Sequence, residues 1–126
     1  MKRLFSALLL AITTSLCTVA QTSLQQSIRF AKDSVTVNES QNGTLQMMAD
    51  YIKKHPDETI ILGGFTSKDT PAAKVSDICE QRAEAVRKKL VEEYGIPATR
   101  LVAIGVGIST RYEEAAFNEV VSFFKK

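Results

Sequence analysis

One short apolar segment and the helix pattern after it set most of the constraints on this fold. Residues 59–62, Thr-Ile-Ile-Leu, form a continuous β-branched run, which predicts a central strand buried on both faces. A helix pattern then begins between Thr70 and Ser76, with Thr70-Pro71 as cap and first helical residue, and it ends at Tyr94 before Gly95. A buried strand followed by a long amphipathic helix indicates a sheet with helices packed on it.

Arg82 does not fit the apolar pattern of this helix. At 100° per residue, one narrow stripe faces the sheet, made of Cys79, Ala83, Val86 and Leu90. Arg82 falls beside that stripe. A guanidinium that borders a core needs an anionic partner or an opening to water. The alternative is an arginine that packs its stem on the surface and keeps its charged end in water. The sequence leaves both interpretations open.

The remaining elements complete an alternating order. Residues 27–31 alternate as a first strand, and a helix runs from caps at 38–40 to about Lys54, before Pro56. A third strand covers residues 100–104 and is closed by Gly105 and Gly107, and a final strand covers 120–124. The predicted fold is α+β: a two-layer sandwich in the order β-α-β-α-β-β, with both helices packed on one face of a mixed sheet.

Residues 1–20 have the pattern of a bacterial secretory signal peptide. A basic start precedes an apolar stretch at 4–16, and Thr18-Val19-Ala20 gives a small-residue cleavage pattern. The stretch is shorter than the roughly 20 residues that span a bilayer, so the mature chain is expected to have no transmembrane segment. Lipidation of Cys17 is the less favoured alternative, because Leu16 stands where a small residue is usual. We therefore expect a signal peptide at 1–20 and one domain at 21–126.

Composition argues against several function classes. Lys2 and Arg3 belong to the predicted signal, and without them the charges balance, since the whole chain carries 16 basic and 14 acidic residues. A neutral chain of this kind does not suggest a nucleic-acid partner. Cys79 would be the single cysteine left, and His55 lies in a turn, so we expect neither a disulfide nor a metal site. No nucleophile elbow, phosphate loop or metal motif is present, and we expect neither an enzyme nor a cofactor.

The helix sequence resembles a known family. Residues 78–90, Ile-Cys-Glu-Gln-Arg-Ala-Glu-Ala-Val-Arg-Lys-Lys-Leu, are similar to the helix motif Leu-Ser-x-x-Arg-Ala-x-x-Val-x-x-x-Leu of OmpA-like peptidoglycan-binding domains. Residues 64–67, Gly-Phe-Thr-Ser, resemble the family's Gly-His-Thr-Asp, and residues 95–101 resemble its Gly-Ile-x-x-x-Arg-Leu. Residues 118–121, Asn-Glu-Val-Val, stand where the family has Asn-Arg-Arg-Val. The resemblance follows the same order along nearly all of residues 21–126.

The resemblance implies a binding site for a wall peptide. In the family, an aspartate takes the ammonium of diaminopimelate and the motif arginine takes its carboxylate, a directional guanidinium–carboxylate contact. The arginine corresponds to Arg82, and the aspartate position holds Ser67. Asp69 lies two residues further along and is a candidate substitute, while Thr66 and Asn118 match the family's motifs. These five residues are the predicted ligand-binding set.

Two departures from the family pattern weaken the expected binding. A serine cannot neutralise an ammonium, and hydrogen bonds to charged groups contribute about 1.5–3 kcal/mol, so affinity would fall roughly ten- to hundredfold. Glu119 reverses a charge that the family has as arginine. The resemblance implies a non-catalytic protein of the periplasm, associated with the outer membrane, that binds the peptidoglycan stem peptide non-covalently. The alternative is an interaction module that kept the fold, lost the wall ligand and binds an envelope protein.

Overall fold

The computed structural model describes residues 26–126, and the predicted signal peptide lies outside them. Four strands and two long helices alternate in the expected order, and three short 3-10 helices occur at Glu39–Gln41, Ala98–Arg100 and Ala115–Asn118. The main elements are β1 (Ser27–Arg29), α1 (Asn42–Lys54), β2 (Ile60–Thr66), α2 (Ala72–Tyr94), β3 (Leu101–Ile108) and β4 (Val120–Lys125). Helix α2 begins within the predicted range, although Pro71 and not Thr70 occupies the N-cap position, and it ends before Gly95, whose φ of 71° is the left-handed stop expected there.

The strands form one mixed sheet in the order β1-β4-β2-β3. Strand β4 pairs antiparallel with both β1 and β2, whereas β2 and β3 are parallel. Both helices contribute buried side chains to one core on the same face of the sheet, which confirms the predicted α+β sandwich. The residues of α1 that enter the core are Leu45, Met48, Ala49 and Ile52, at the spacing of one apolar stripe.

Two glycines bring helix α2 into backbone contact with the sheet. Gly64 of β2 and Gly105 of β3 are register partners. A Cβ on Gly64 would lie 1.9 Å from the carbonyl oxygen of Cys79, and one on Gly105 would lie 2.9 Å from the backbone nitrogen of Glu80. Only glycine allows so close an approach. The contact fixes the rotation of α2, so that Arg82, almost one turn further on, enters the protein interior.

Arg100 joins the end of α1 to the sheet. Its guanidinium donates hydrogen bonds to the carbonyl oxygens of Ile52 (2.8 Å), His55 (2.5 Å) and Glu58 (2.8 Å). The last carbonyls of a helix lack partners within the helix, and a cation there also interacts favourably with the helix dipole. Arg100 therefore closes the C-terminal end of α1 and holds it beside the start of β3.

Three strands differ from the sequence expectation, and the first of them, β1, ends at Arg29 rather than at residue 31. Strand β3 does not stop at Gly105 but continues to Ile108. Gly105 does not end the strand; it lies inside the strand, where the absence of a side chain lets α2 approach closely. Strand β2 is central, as predicted, but it is fully covered only on its helix side, since Ile61 and Phe65 point to the other face and are half-buried. In the part of the chain from residue 26 onward, no helix is both long and apolar enough to cross a membrane.

Candidate functional site

The guanidinium of Arg82 is completely enclosed and has an anionic partner within the protein. Its side chain has no exposed surface, and Nη1 donates to the carboxylate of Glu119 at 2.8 Å. Three backbone carbonyl oxygens accept its other hydrogen bonds: Phe65 from Nη1 (2.9 Å), Ser34 from Nε (2.7 Å) and Ala31 from Nη2 (3.1 Å). The interpretation of Arg82 as a surface residue with a solvated charge is therefore wrong.

The carboxylate of Glu119 is as well surrounded as the guanidinium. The residue is 1% exposed and accepts hydrogen bonds from the hydroxyl of Thr66 at 2.7 Å, the backbone amide of Ser67 at 3.3 Å and the hydroxyl of Ser67 at 3.2 Å. Burial alone would raise the pKa of Glu119. The hydrogen bonds from Arg82 and Thr66, together with the charge of Arg82, outweigh burial and hold this pKa below its usual range.

A tight turn after β1 supplies two of the carbonyl groups that face Arg82. The amide of Ser34 donates to the carbonyl of Ala31, and Asp33 between them has a φ of 61°, a left-handed conformation that aspartate tolerates better than most residues. The ring of Phe30 lies 5.2 Å from the guanidinium carbon of Arg82, a cation–π contact. Arg82 therefore ties together β1, the end of β2 and the segment before β4.

The structure brings Arg82, Ser67 and Thr66 together and places the other two predicted residues nearby. Asp69 is exposed, and its backbone amide donates to the Ser67 hydroxyl at 3.3 Å. Asn118 is buried, but its side chain serves the preceding loop. Its Oδ1 accepts from the backbone amide of Tyr112 at 3.1 Å, and its Nδ2 donates to the carbonyl of the same residue at 2.9 Å. Contact of these five residues with a ligand stays a prediction.

The cleft beside these residues is small. It has a volume of about 170 Å³, whereas ligand pockets usually measure about 300–1,000 Å³. The enclosed Arg82 and Glu119 do not line it. The lining residues are Lys68, Ser109, Thr110, Tyr112, Glu113, Ala115 and Asn118.

Sequence reasoning missed the role of Glu119. The family comparison identified it as a charge reversal that would weaken ligand binding, not as the partner of Arg82. The signal that could have revealed the pair is the joint departure of two positions from the family pattern. Ser67 stands where the family has an acid, and Glu119 stands where it has a base. Compared with the family pattern, the loop after β2 lacks a negative charge and the residue before β4 carries one. A buried arginine and a new acid are then each other's natural partner.

Residues 26–126 do not bring together three or more histidine, cysteine, aspartate or glutamate side chains that could hold a metal ion. Cys79 is buried, and its thiol lies 3.5 Å from the carbonyl oxygen of Gly107. Burial raises the pKa of this thiol despite the nearby charge of Arg82. Cys79 is thus a buried packing residue in the helix stripe, as its spacing predicts.

Comparison with solved structures identifies close matches of fold. The peptidoglycan-associated lipoprotein from Burkholderia pseudomallei superposes with a TM-score of 0.71 and 25% sequence identity, over 81% of this chain and 91% of that one. The C-terminal domain of Helicobacter pylori MotB gives a TM-score of 0.68 and 25% identity, over 80% of this chain and 84% of that one.

Sequence comparison places the chain in the same group. Outer membrane porin F of Pseudomonas aeruginosa is 33% identical over 86 residues, which are 68% of this chain. Outer membrane protein 40 of Porphyromonas gingivalis is 30% identical over 105 residues, or 82% of this chain. The chain spans about a quarter of the length of these relatives, 25% and 27% respectively. The sequence profile of the OmpA family matches residues 29–122, and the chain belongs to the OmpA family.

Proposed function

We propose that this chain is a non-catalytic cell-envelope protein in which the OmpA fold serves as a protein-interaction module. The observation that carries the proposal is the ion pair between Arg82 and Glu119 at 2.8 Å, with both side chains enclosed. The anion that the family receives from its ligand is here supplied by the protein. Location in the periplasm, in association with the outer membrane, is supported by the similarity to outer membrane proteins of two organisms.

The contacts of Glu119 explain why a ligand carboxylate would compete poorly. To reach Arg82, a ligand must first displace a carboxylate that accepts hydrogen bonds from Arg82, Thr66 and Ser67. A group that is already attached competes at a high effective concentration, in the millimolar range for short flexible tethers and higher for a rigid one. Glu119 lies directly before β4 and is held by these hydrogen bonds, so the free carboxylate of a wall peptide starts at a large disadvantage.

Weakened binding of the peptidoglycan stem peptide is the second candidate function. Membership of the OmpA family favours it, as does the similarity to the peptidoglycan-associated lipoprotein. In this function the side chain of Glu119 would leave Arg82, and the stem peptide would contact the predicted ligand-binding set. That set is Arg82, Ser67, Asp69, Thr66 and Asn118. Asp69 would supply the negative charge for the diaminopimelate ammonium, since it is exposed and adjacent to the Ser67 loop.

A sedimentation assay with purified diaminopimelate-type sacculi separates the two functions. The comparison is between the wild-type chain and the double variant Ser67→Asp with Glu119→Arg, which restores the family's charges while keeping Arg82. The proposal expects the wild type to stay in the supernatant and the double variant to co-sediment. Retention of the wild type, lost in Asp69→Ala, would establish peptidoglycan binding and overturn the proposal. Circular dichroism of each variant checks that the fold is kept.

A further inference from the structure

The face of the sheet opposite the helices is largely apolar. Strands β2 and β3 are parallel, and parallel strands in proteins usually have both faces of the sheet covered. Here the outward row of β3 is exposed by 37–51%, although it consists of Val102, Ile104 and Val106. An apolar row on a parallel pair, left open to solvent, is typical of a surface that meets another molecule.

A groove of about 760 Å³ crosses the same face over β1, β4 and the end of β2. We call it the sheet groove. Its floor includes Phe65 and Phe124. The absence of a side chain at Gly63 keeps the neighbouring floor flat, since a Cβ there would lie 3.0 Å from both Phe124 and Val106. The lining residues are Ser27, Arg29, Phe65, Ser109, Thr110, Arg111, Tyr112, Phe117, Val120, Ser122 and Phe124.

One wall of the sheet groove is a row of arginine and aromatic side chains. The guanidinium of Arg29 lies 4.4 Å from the ring centre of Phe117, and that of Arg111 lies 5.5 Å from the ring centre of Tyr112. The two rings meet edge to face at 6.2 Å. All four residues are exposed. Arginine and aromatic side chains are the groups most enriched at the centres of protein interfaces, because they combine apolar area with hydrogen-bonding capacity.

The charges of the sheet groove indicate what occupies it. Arg29 and Arg111 are its charged lining residues, and among the lining residues that the structure describes none carries a carboxylate. A second copy of this chain would bring the same two cations face to face, which is unfavourable. The hydroxyl groups of Ser27 and Ser122 in the groove hydrogen-bond each other at 3.2 Å, whereas the exposed hydroxyl of Thr110 suits a peptide group and would have no partner along an acyl chain. The observations favour an acidic peptide over a second copy or a lipid.

We propose that the sheet groove binds a segment of a partner protein in which apolar side chains are flanked by Asp or Glu. The apolar side chains cover Phe65, Phe124 and the row of β3, and the carboxylates pair with Arg29 and Arg111. The inference rests on the proposed function, because it names the surface through which the interaction module acts. It involves neither Arg82 nor Glu119, which lie on the helix side of the sheet.

Selection from a random 12-residue peptide display library on the immobilised chain tests the proposal. Peptides that pair Asp or Glu with large apolar residues should be enriched. A selected peptide, measured by fluorescence polarisation, should bind the double variant Arg29→Glu with Arg111→Glu at least about tenfold more weakly than the wild type. The matched control is Lys53→Glu with Lys88→Glu, which makes the same charge change at exposed positions on the two helices and should leave the affinity unchanged.

Four outcomes overturn the proposal. The first is enrichment of basic peptides or of none. The second is equal affinity of the wild type and the arginine double variant. The third is co-sedimentation of the wild type, but not of that variant, with phosphatidylglycerol vesicles, which would assign the groove to lipid. The fourth is a dimer in light scattering that the arginine double variant abolishes. Retention on sacculi through Arg82 would contradict the proposed function and leave the peptide selection unaffected, so the two failures are distinguishable.

Discussion

Replacing Glu119 by glutamine tests the buried ion pair through stability. The amide has almost the same shape as the carboxylate and can still accept hydrogen bonds from Arg82 and Thr66, so the variant removes charge with little change in packing. Arg82 then remains buried without a counter-charge, and breaking a buried pair in this way costs about 3–5 kcal/mol. Three backbone carbonyls still accept from the guanidinium. We therefore expect the lower end of that range, about 3 kcal/mol.

Urea unfolding followed by circular dichroism measures this difference. With an m-value of about 1.5 kcal/mol/M, a loss of about 3 kcal/mol lowers the midpoint by about 2 M. Glu93→Gln is the matched control, because Glu93 pairs with Lys89 at 3.0 Å but its side chain is 55% exposed. Exposed pairs of this spacing contribute about 0.3–0.5 kcal/mol. If both variants lowered the free energy of unfolding by less than about 1 kcal/mol, the claim that the charge of Glu119 is needed inside the protein would be wrong.

The pH dependence of the same measurement gives a second check. The pKa of Glu119 is lower in the folded protein than its ordinary value of 4.5. Protonation therefore favours the unfolded chain, and the stability that Glu119 contributes is complete above pH 4.5 and is lost as the pH falls through the folded-state pKa. The wild type should lose stability below about pH 4.5. The difference in the free energy of unfolding between the wild type and Glu119→Gln should therefore become smaller there. A difference that stayed constant down to acid unfolding would contradict this assignment.

Two further predictions concern other parts of the fold. Gly64→Ala should lower the free energy of unfolding by about 3 kcal/mol or more in urea titration, because the new methyl group meets the carbonyl of Cys79. Gly43→Ala in the first turn of α1 is the control: its Cβ would have no atom within 4 Å, and the free energy of unfolding should rise by about 0.5–1 kcal/mol. Equal effects of the two variants would refute the close contact between β2 and α2. Burial, together with the hydrogen bond to Glu58 at 2.7 Å and the charge of Glu58, raises the pKa of Tyr51 to about 12. In Glu58→Gln, the pKa of Tyr51 measured by ¹³C NMR of its ring should fall toward 10. An unchanged pKa of Tyr51 would contradict the role of Glu58.

Much of the fold was predictable because the spacing of apolar residues and the residues that end helices agree with how the elements pack. The stripe from Cys79 to Leu90 identified the buried side of α2, and Gly95 marked its end. The continuation of β3 through Gly105 was not predictable in the same way, because a glycine that ends a strand and one that admits a helix backbone look alike in sequence. What distinguishes them is the register that places Gly64 opposite Gly105, a long-range property.

The candidate site was only half predictable for a related reason. The helical position of Arg82 showed that it needs an anion, but periodicity says nothing about which segment supplies one. Glu119 lies far along the chain, and its approach depends on β4 pairing beside β2. The choice between an internal and an external anion therefore depended on the three-dimensional arrangement of the strands.

The most direct measurement is an NMR titration of the arginine side chains with a diaminopimelate-containing stem peptide. The Nε–H of Arg82 donates to the carbonyl of Ser34 at 2.7 Å and is shielded from water, so its resonance should be resolved and slow to exchange. With Glu119 as the permanent partner, we predict that this resonance stays in place up to millimolar peptide. A saturable shift of the Arg82 resonance would contradict the account and show that the wall peptide reaches the guanidinium.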